Sequence, residues 1–463
     1  MVTFPWPLRA PSEVRTTWKE LNFLTVLDRP HPRTRWSRAA AALGAGALAA
    51  AMTLGVGTAS ADTVDPTPIP VGAEPAGVAI TPDGTRAYVT NWGAGAVSVI
   101  NTSDNIVTAT VPVGSLPQGV AITPNGLRAY VTNRGNNTVS VINTSDNTVD
   151  PTPITVGSEP IGVAITPDGL RAYVSNANGN TVSVINTTDN TVTTTPIPVA
   201  ANPWAVAISP NGAHAYVTHR NSNTVSVINT TDNTVNPTPI TVGQGPTSIA
   251  FTPDGLRAYV VNLESNSVSV INTSDNTVTG APIPVGQRPY QVAITPDGQR
   301  AYVSNRTDST VSVINTTDNT VTTTINLPAG GNPFGVAITP DGLRAYVTNN
   351  ANATVSVITI EIAPTLTGAP PAGVVGQPYS YAFTVTGQPT PTVTAVGTLP
   401  AGLTLTEAGI LSGTPTEDGT FPVTFTASNG IGTPATLDVT LTITAAPEPP
   451  STGSLGSLGN FGS

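Results

Sequence analysis

Cysteine is absent from the 463 residues, which excludes disulfides, thiolate metal sites, c-type haem attachment and cysteine nucleophiles together. Lysine occurs once, at Lys19, and histidine three times, at His31, His214 and His219. From residue 62 onward ten arginines stand against 24 carboxylates, a formal charge of −14. That balance repels phosphate backbones and makes nucleic acid an unlikely partner. Charged residues make up only 10% of the chain against 39% hydrophobic ones, a ratio that fits folded, strand-rich material. Helical periodicity is missing too, so the apolar residues have to be arranged on strands.

The first 61 residues differ in kind from the rest. They hold seven of the 17 basic residues, and Arg33, Arg35 and Arg38 precede an Ala/Gly/Leu-rich run over residues 39–57 that ends in Ala59-Ser60-Ala61. This is the layout of a secretory signal cut before Asp62; a membrane-anchoring helix is the weaker alternative, because the run is alanine-rich and barely long enough to span. The expectation is a secreted or cell-surface protein with no transmembrane segment in its mature part. Residues 447–463 are Pro, Gly and Ser with little apolar bulk, and read as a flexible tail without a sorting pattern.

Between these ends the chain repeats itself. The stretch GVAITPDGLRAYVSN over Gly162–Asn176 recurs seven times with small edits, marked by Tyr88, Tyr130, Tyr173, Tyr216, Tyr259, Tyr302 and Tyr346 at intervals of 42 to 44 residues. One period splits into GVAIT, a Pro-Asp-Gly turn, RAYVSN, a loop, TVSVIN, a Thr-Thr-Asp-Asn turn and TVTTTPIPV, which is four short strands. Four strands in about 43 residues is the spacing of a propeller blade. We label them A to D from the axis outward. The seventh copy ends at its C strand, while an orphan D-like segment, VDPTPIPVG over Val64–Gly72, precedes the first A strand. The N-terminal segment is therefore expected to close the ring as the outer strand beside residues 354–358, removing both open edges.

TPDGLRAYVTN with TVSVINTSDNTV closely resembles the YVTN-type propeller repeat of surface-layer and other exported microbial proteins, over about 300 residues. Past residue 362 the period stops, and residues 364–445 read as a small β-sandwich. LPAGLTL with GILSGTPTEDGTFPVTFTASNG resembles the Ig-like, cadherin-like modules of bacterial surface proteins. Some such relatives bind calcium between domains, but this copy lacks an acidic run of that kind. The fold expected is all-β: a seven-bladed β-propeller over 62–361 followed by an Ig-like β-sandwich over 364–445.

Chemistry has few places to reside. His214 and His219 lie five apart on one strand, facing opposite sides at roughly 16 Å, so they cannot share a metal; repeat drift is the simpler reading of both, and neither a catalytic nor a metal residue is assigned. The aspartates recur once per blade in the A-to-B and C-to-D turns, where they accept bonds from their own backbone. A ring of oxygen ligands for a divalent cation such as calcium is the lesser reading. The sequon asparagines Asn101, Asn143, Asn186, Asn229, Asn272 and Asn315 fall in the same C-to-D turns.

Subtracting the repeat leaves Trp92, Arg134, Trp204, Arg220, Arg288, Tyr290, Arg306 and Phe334, all in B-to-C or D-to-A loops, which emerge on one face. Variable loops on a rigid scaffold are where binding residues belong, and arginine with aromatics is the composition of contact surfaces. With His219 added, these are the candidate ligand-binding residues. Trp204, Tyr290 and Phe334 each follow a proline and are expected to ring the mouth of the central channel, leaving a slot at blade five beside Thr247. The functional expectation is a non-catalytic extracellular binding or adhesion protein for a glycan or protein ligand. Resemblance to other propellers keeps two alternatives, a lactonase-like hydrolase or lyase and an exported nucleic-acid binder.

Overall fold

The computed structural model describes residues 62–192 and 195–447; the expected signal segment and most of the tail lie outside the described residues. The described residues are all strand, turn and loop, and none of their elements is a helix long and apolar enough to cross a membrane. Seven antiparallel sheets follow one another along the chain, each running from an inner A strand such as Pro160–Ile165 through B (Arg171–Asn176) and C (Thr181–Asn186) to a short, interrupted or bulged D strand. Blade seven takes its outer strand from the other end of the described chain: Val64 pairs with Ile358 and Ile69 with Val355. The ring is closed by backbone hydrogen bonds, as the orphan segment implied.

Apolar side chains of one blade's B, C and D strands pack against those of the next. Between blades three and four Tyr173, Val182, Val184 and Ile197 meet Val206, Ala215, Val217 and Ile228. Each such buried aliphatic side chain contributes about 1.5–3 kcal/mol relative to exposure. Polar residues of the repeat fasten the same seams. Tyr173 donates to Asn233 Oδ1 of blade four at 2.8 Å, and the Arg171 guanidinium donates to the Thr230 carbonyl. The equivalent tyrosine-to-asparagine bond spans five further seams, for example Tyr88 to Asn147 at 2.8 Å and Tyr346 to Asn105 at 2.7 Å.

The seam between blades six and seven has no C-to-D turn to supply that asparagine, because the D strand arrives from the N-terminal side. Asp62 stands in its place. Its carboxylate accepts from the Tyr302 hydroxyl at 2.5 Å, from Arg300 at 3.2 Å and from the Glu361 amide at 2.9 Å. Burial and this anion together push the Tyr302 hydroxyl far above the ordinary phenol range.

The C-terminal module is built on a long hairpin, Gly419–Ser428 with Ala435–Thr444, flanked by Thr392–Gly397. A second sheet, Tyr379–Ala382 with Ile410–Gly413 and Leu403–Leu405, encloses a core containing Phe383, Leu411, Phe425 and Leu441. Gln388 donates to the Leu343 carbonyl of blade seven at 3.0 Å.

Candidate functional site at the channel mouth

The site is made of two stacked rings of seven residues, one residue per blade in each ring. The lower ring is the second residue of each A strand, directly after its proline: Ala76, Gln118, Ile161, Trp204, Thr247, Tyr290 and Phe334. The upper ring is the residue that follows each B strand: Trp92, Arg134, Ala177, Arg220, Leu263, Arg306 and Asn350.

Backbone geometry holds both rings in place whatever side chains they carry. The residue before each proline is bent into the left-handed region, for example Glu74 at φ 54°, Arg288 at φ 52° and Asn332 at φ 48°. Its carbonyl then accepts the amide of the upper-ring residue, as in Trp92 to Glu74 at 2.9 Å, Arg220 to Asn202 at 3.1 Å and Arg306 to Arg288 at 3.1 Å. The lower-ring carbonyls accept hydroxyls from the preceding blade, as in Thr90 to Gln118 at 2.8 Å and Ser304 to Phe334 at 2.7 Å. Blade five has Val261 where the others have Ser or Thr, and there Thr247 Oγ1 donates to the Tyr290 carbonyl at 2.8 Å instead. Side chains vary on a frame that does not.

Within this frame Trp204 and Tyr290 are 8% and 7% exposed and cluster with Ile161, Ala177, Leu263 and Phe334 on the channel side, apart from the interblade cores. Tyr290 and Phe334 lie against each other at 3.7 Å between ring centroids, tilted by 38°. The Arg306 guanidinium carbon sits 5.3 Å from both ring centroids, and that of Arg220 sits 5.0 Å from the Trp204 ring. Above them opens a cavity of about 220 Å³ lined by Trp92, Arg134, Arg220, Arg306, the three aromatics and their ring neighbours. Below, a second cavity of about 140 Å³ continues between the A strands. Burial pushes the Tyr290 hydroxyl up to about 12, so it stays protonated, and depresses the Arg306 guanidinium below its ordinary value.

Three sequence expectations need correction. The slot at blade five does not exist, since Leu263, 1% exposed, packs into that side of the aromatic cluster. Arg288 occupies the left-handed corner before Pro289, is exposed, and does not line the cavity. His219 is fully buried inside blade four, where Nε2 bonds Ser226 Oγ at 2.8 Å, as the asparagine of other blades bonds its serine, for example Asn176 to Ser183 at 3.0 Å. Burial drops its pKa to about 4. His214 is exposed at the other end of the strand.

One loop away blade four departs from the repeat a second time. In five blades a glycine precedes the A strand so closely that an added Cβ would lie 2.5–2.7 Å from the asparagine side chain, as Gly157 shows against Asn176. Blade four has Ala200 at that position, and histidine in place of asparagine. Leu263, Ala177 and Asn350 escaped the sequence reading because none is aromatic or charged; the register, one residue past each B-strand end, would have found all three.

The carboxylates of the turns behave as turn residues. Asp168 accepts from the Thr166 hydroxyl and the Leu170 amide at 2.5 and 2.9 Å, bonds that hold its pKa below the usual carboxylate value. The sequon asparagines do likewise, Asn101 accepting the Ser103 amide at 2.9 Å. Among the described residues no group of three His, Cys, Asp or Glu side chains converges as metal ligands would.

The propeller fold has known counterparts among solved structures. A Kuenenia stuttgartiensis hydrazine synthase chain is 23% identical with a TM-score of 0.55, over 64% of this chain and 97% of that one. Virginiamycin B lyase from Staphylococcus aureus is 17% identical with a TM-score of 0.56, over 65% and 99%. A streptogramin B lyase structure is 15% identical with a TM-score of 0.54, over 65% and 96%. At these identities the likeness is one of fold. No curated protein sequence gives a significant match. Residues 363–444 match the family model described as Putative Ig domain. Residues 62–357 match the model of the virginiamycin B lyase family, and the chain belongs to that family.

Proposed function

We propose that this is an exported, non-catalytic binding or adhesion protein whose extracellular ligand, a glycan or a protein side chain, docks at the channel mouth. The observation that carries this reading is the two-ring construction: one backbone frame is repeated seven times, and at the mouth the side chains it carries differ from blade to blade, with aromatics and arginines concentrated there. The YVTN-type repeat and the Ig-like module, both resembling parts of microbial surface proteins, support an extracellular setting. A charge of −14 over residues 62–463 argues against nucleic acid as the ligand. Trp204→Ala combined with Tyr290→Ala should abolish retention on a glycan, peptide and cell-wall array that retains the unaltered protein. Equal retention of both proteins would refute the assignment.

Family membership favours a second reading, a lyase working on the same face. Such a reaction needs a base within reach of the substrate with a pKa near the working pH. At the mouth Glu159 is held by Arg134 at 2.8 Å, and His219 is turned into its blade with a pKa near 4. Binding is therefore the better supported reading. Incubation with virginiamycin B followed by chromatography and fragment-ion mass spectrometry separates the two; conversion to a new product would establish the lyase.

A further inference from the structure

We infer that the ligand group received at the mouth is a carboxylate attached to a flat apolar body of about one ring, held between Arg220 and Arg306; this rests on the mouth being the binding site. The upper ring places arginines on alternate blades, two, four and six, around one opening. Their charges are not equally available. Arg134 is spent on Glu159 at 2.8 Å. Arg220 and Arg306 have no carboxylate partner among the described residues, and the Arg306 Nε is buried without any acceptor.

A guanidinium carries five N–H donors and no acceptor, and withdrawing it from water without a partner is costly. Stacking over Trp204, and over Tyr290 and Phe334, covers ring faces and leaves donors at the guanidinium edges unspent. Nearby acids do not fill the gap. Asp308 accepts the Gln287 amide at 2.6 Å, and Glu74 and Glu264 stand exposed on other blades. An oxyanion supplies what is missing, and a planar carboxylate matches the guanidinium fork.

The remaining surface of the cavity selects against a bare inorganic ion. Leu263, Trp204, Tyr290 and Phe334 offer apolar contact. The cavity of about 220 Å³ exceeds the roughly 150 Å³ that accommodates benzene in an apolar core. A ring bearing one carboxylate fits that volume.

The test is calorimetric titration of the full chain with benzoate, benzyl alcohol and inorganic phosphate at low salt. Benzoate should bind at least tenfold more tightly than benzyl alcohol, and that margin should vanish in Arg220→Met and in Arg306→Met while Arg288→Met, outside the cavity, keeps it. Arg220→Met serves as the independent check should Arg306→Met repack the aromatic floor. Equal binding of benzoate and benzyl alcohol, both weakened by Trp204→Ala, would overturn the anion inference and leave the mouth as the binding site. Phosphate binding more tightly than benzoate would also overturn it. Binding of every probe unchanged by Trp204→Ala would overturn the inference and the site together.

Discussion

Two sets of arginines occupy opposite faces of the propeller and do opposite things. On the turn face Arg128, Arg171, Arg257 and Arg344 each reach the next blade and donate to a threonine carbonyl, Arg128 to Thr187 at 2.6 Å. At the channel mouth Arg220 and Arg306 reach no carbonyl and no carboxylate among the described residues. The first set recurs because the same bond closes five seams, Arg86 to the Thr144 carbonyl being the fifth. The second does not recur, and its members sit where the backbone is already secured by other groups. A residue that repeats with the period therefore reports on assembly of the ring. One that breaks the period at the channel mouth, where the frame is held by other bonds, is free of that assembly role.

The largest effect should come from the one seam that is assembled differently. Removing residues 62–71 exposes the C strand Thr354–Thr359, uncovers the pocket of Ile69, 4% exposed, and deletes the Asp62 partner of Tyr302 and Arg300. Loss of a buried Ile-sized side chain alone costs about 2–5 kcal/mol, and stranding a buried ion-pair partner costs about 3–5 kcal/mol. A drop in Tm on the order of 10 °C is expected from these losses. Asp62→Ala should show part of that loss, and Asp62→Asn, which restores what six other seams carry, much less. Unchanged melting of the shortened protein would show that the ring does not depend on its closing strand.

His219 provides the next effect in size. Its folded pKa of about 4 lies below the ordinary 6.5, so between those values the unfolded chain binds more protons than the folded one. Above pH 6.5 both states are neutral and the full stability is present; as pH falls toward 4, stability is lost. At about 1.4 kcal/mol per unit the loss approaches roughly 3 kcal/mol. The double variant Ala200→Gly with His219→Asn returns blade four to the repeat and should remove this portion of the acid sensitivity. Denaturant titrations of both proteins at pH 7 and pH 4.5 check it. Parallel declines in the two would mean that His219 is not the group responsible.

The fold was legible because the sequence states it seven times: the tyrosines, the turns and the orphan N-terminal segment each map onto a blade or its closure. The site was legible only where side-chain chemistry drew attention. Trp204, Tyr290, Phe334, Arg220 and Arg306 were found by subtraction, while Leu263 was missed because an aliphatic residue in a loop looks like drift. His219 was misread in the opposite sense. A rare residue at a loop edge suggested a ligand, yet its ring is buried against Ser226, in a blade that also carries Ala200 where five others have glycine. Compensation between two positions in contact is visible in one chain only when the chain itself provides the copies to compare. The same logic applies at Val261, whose missing hydroxyl is replaced by Thr247.

The smallest effect tests the opening comparison directly, by making one substitution on each face. Arg257→Ala removes a charge-assisted bond to the Thr316 carbonyl across a seam and uncovers the Tyr259 hydroxyl, which shares that carbonyl at 3.3 Å. Hydrogen bonds from a charged donor are worth about 1.5–3 kcal/mol, and Arg257 is partly exposed, so a loss nearer 1 kcal/mol is expected after solvent screening. Arg220→Ala removes only the stacking over Trp204, worth about 0.5–1 kcal/mol at an accessible site, and at the same time relieves an unpaired charge. These two terms oppose each other. Its stability should therefore stay within about 0.5 kcal/mol of the parent, measured by urea unfolding alongside Arg257→Ala. If Arg220→Ala proves as destabilising as Arg257→Ala, the mouth arginines are structural after all, and the division of labour between the two faces fails.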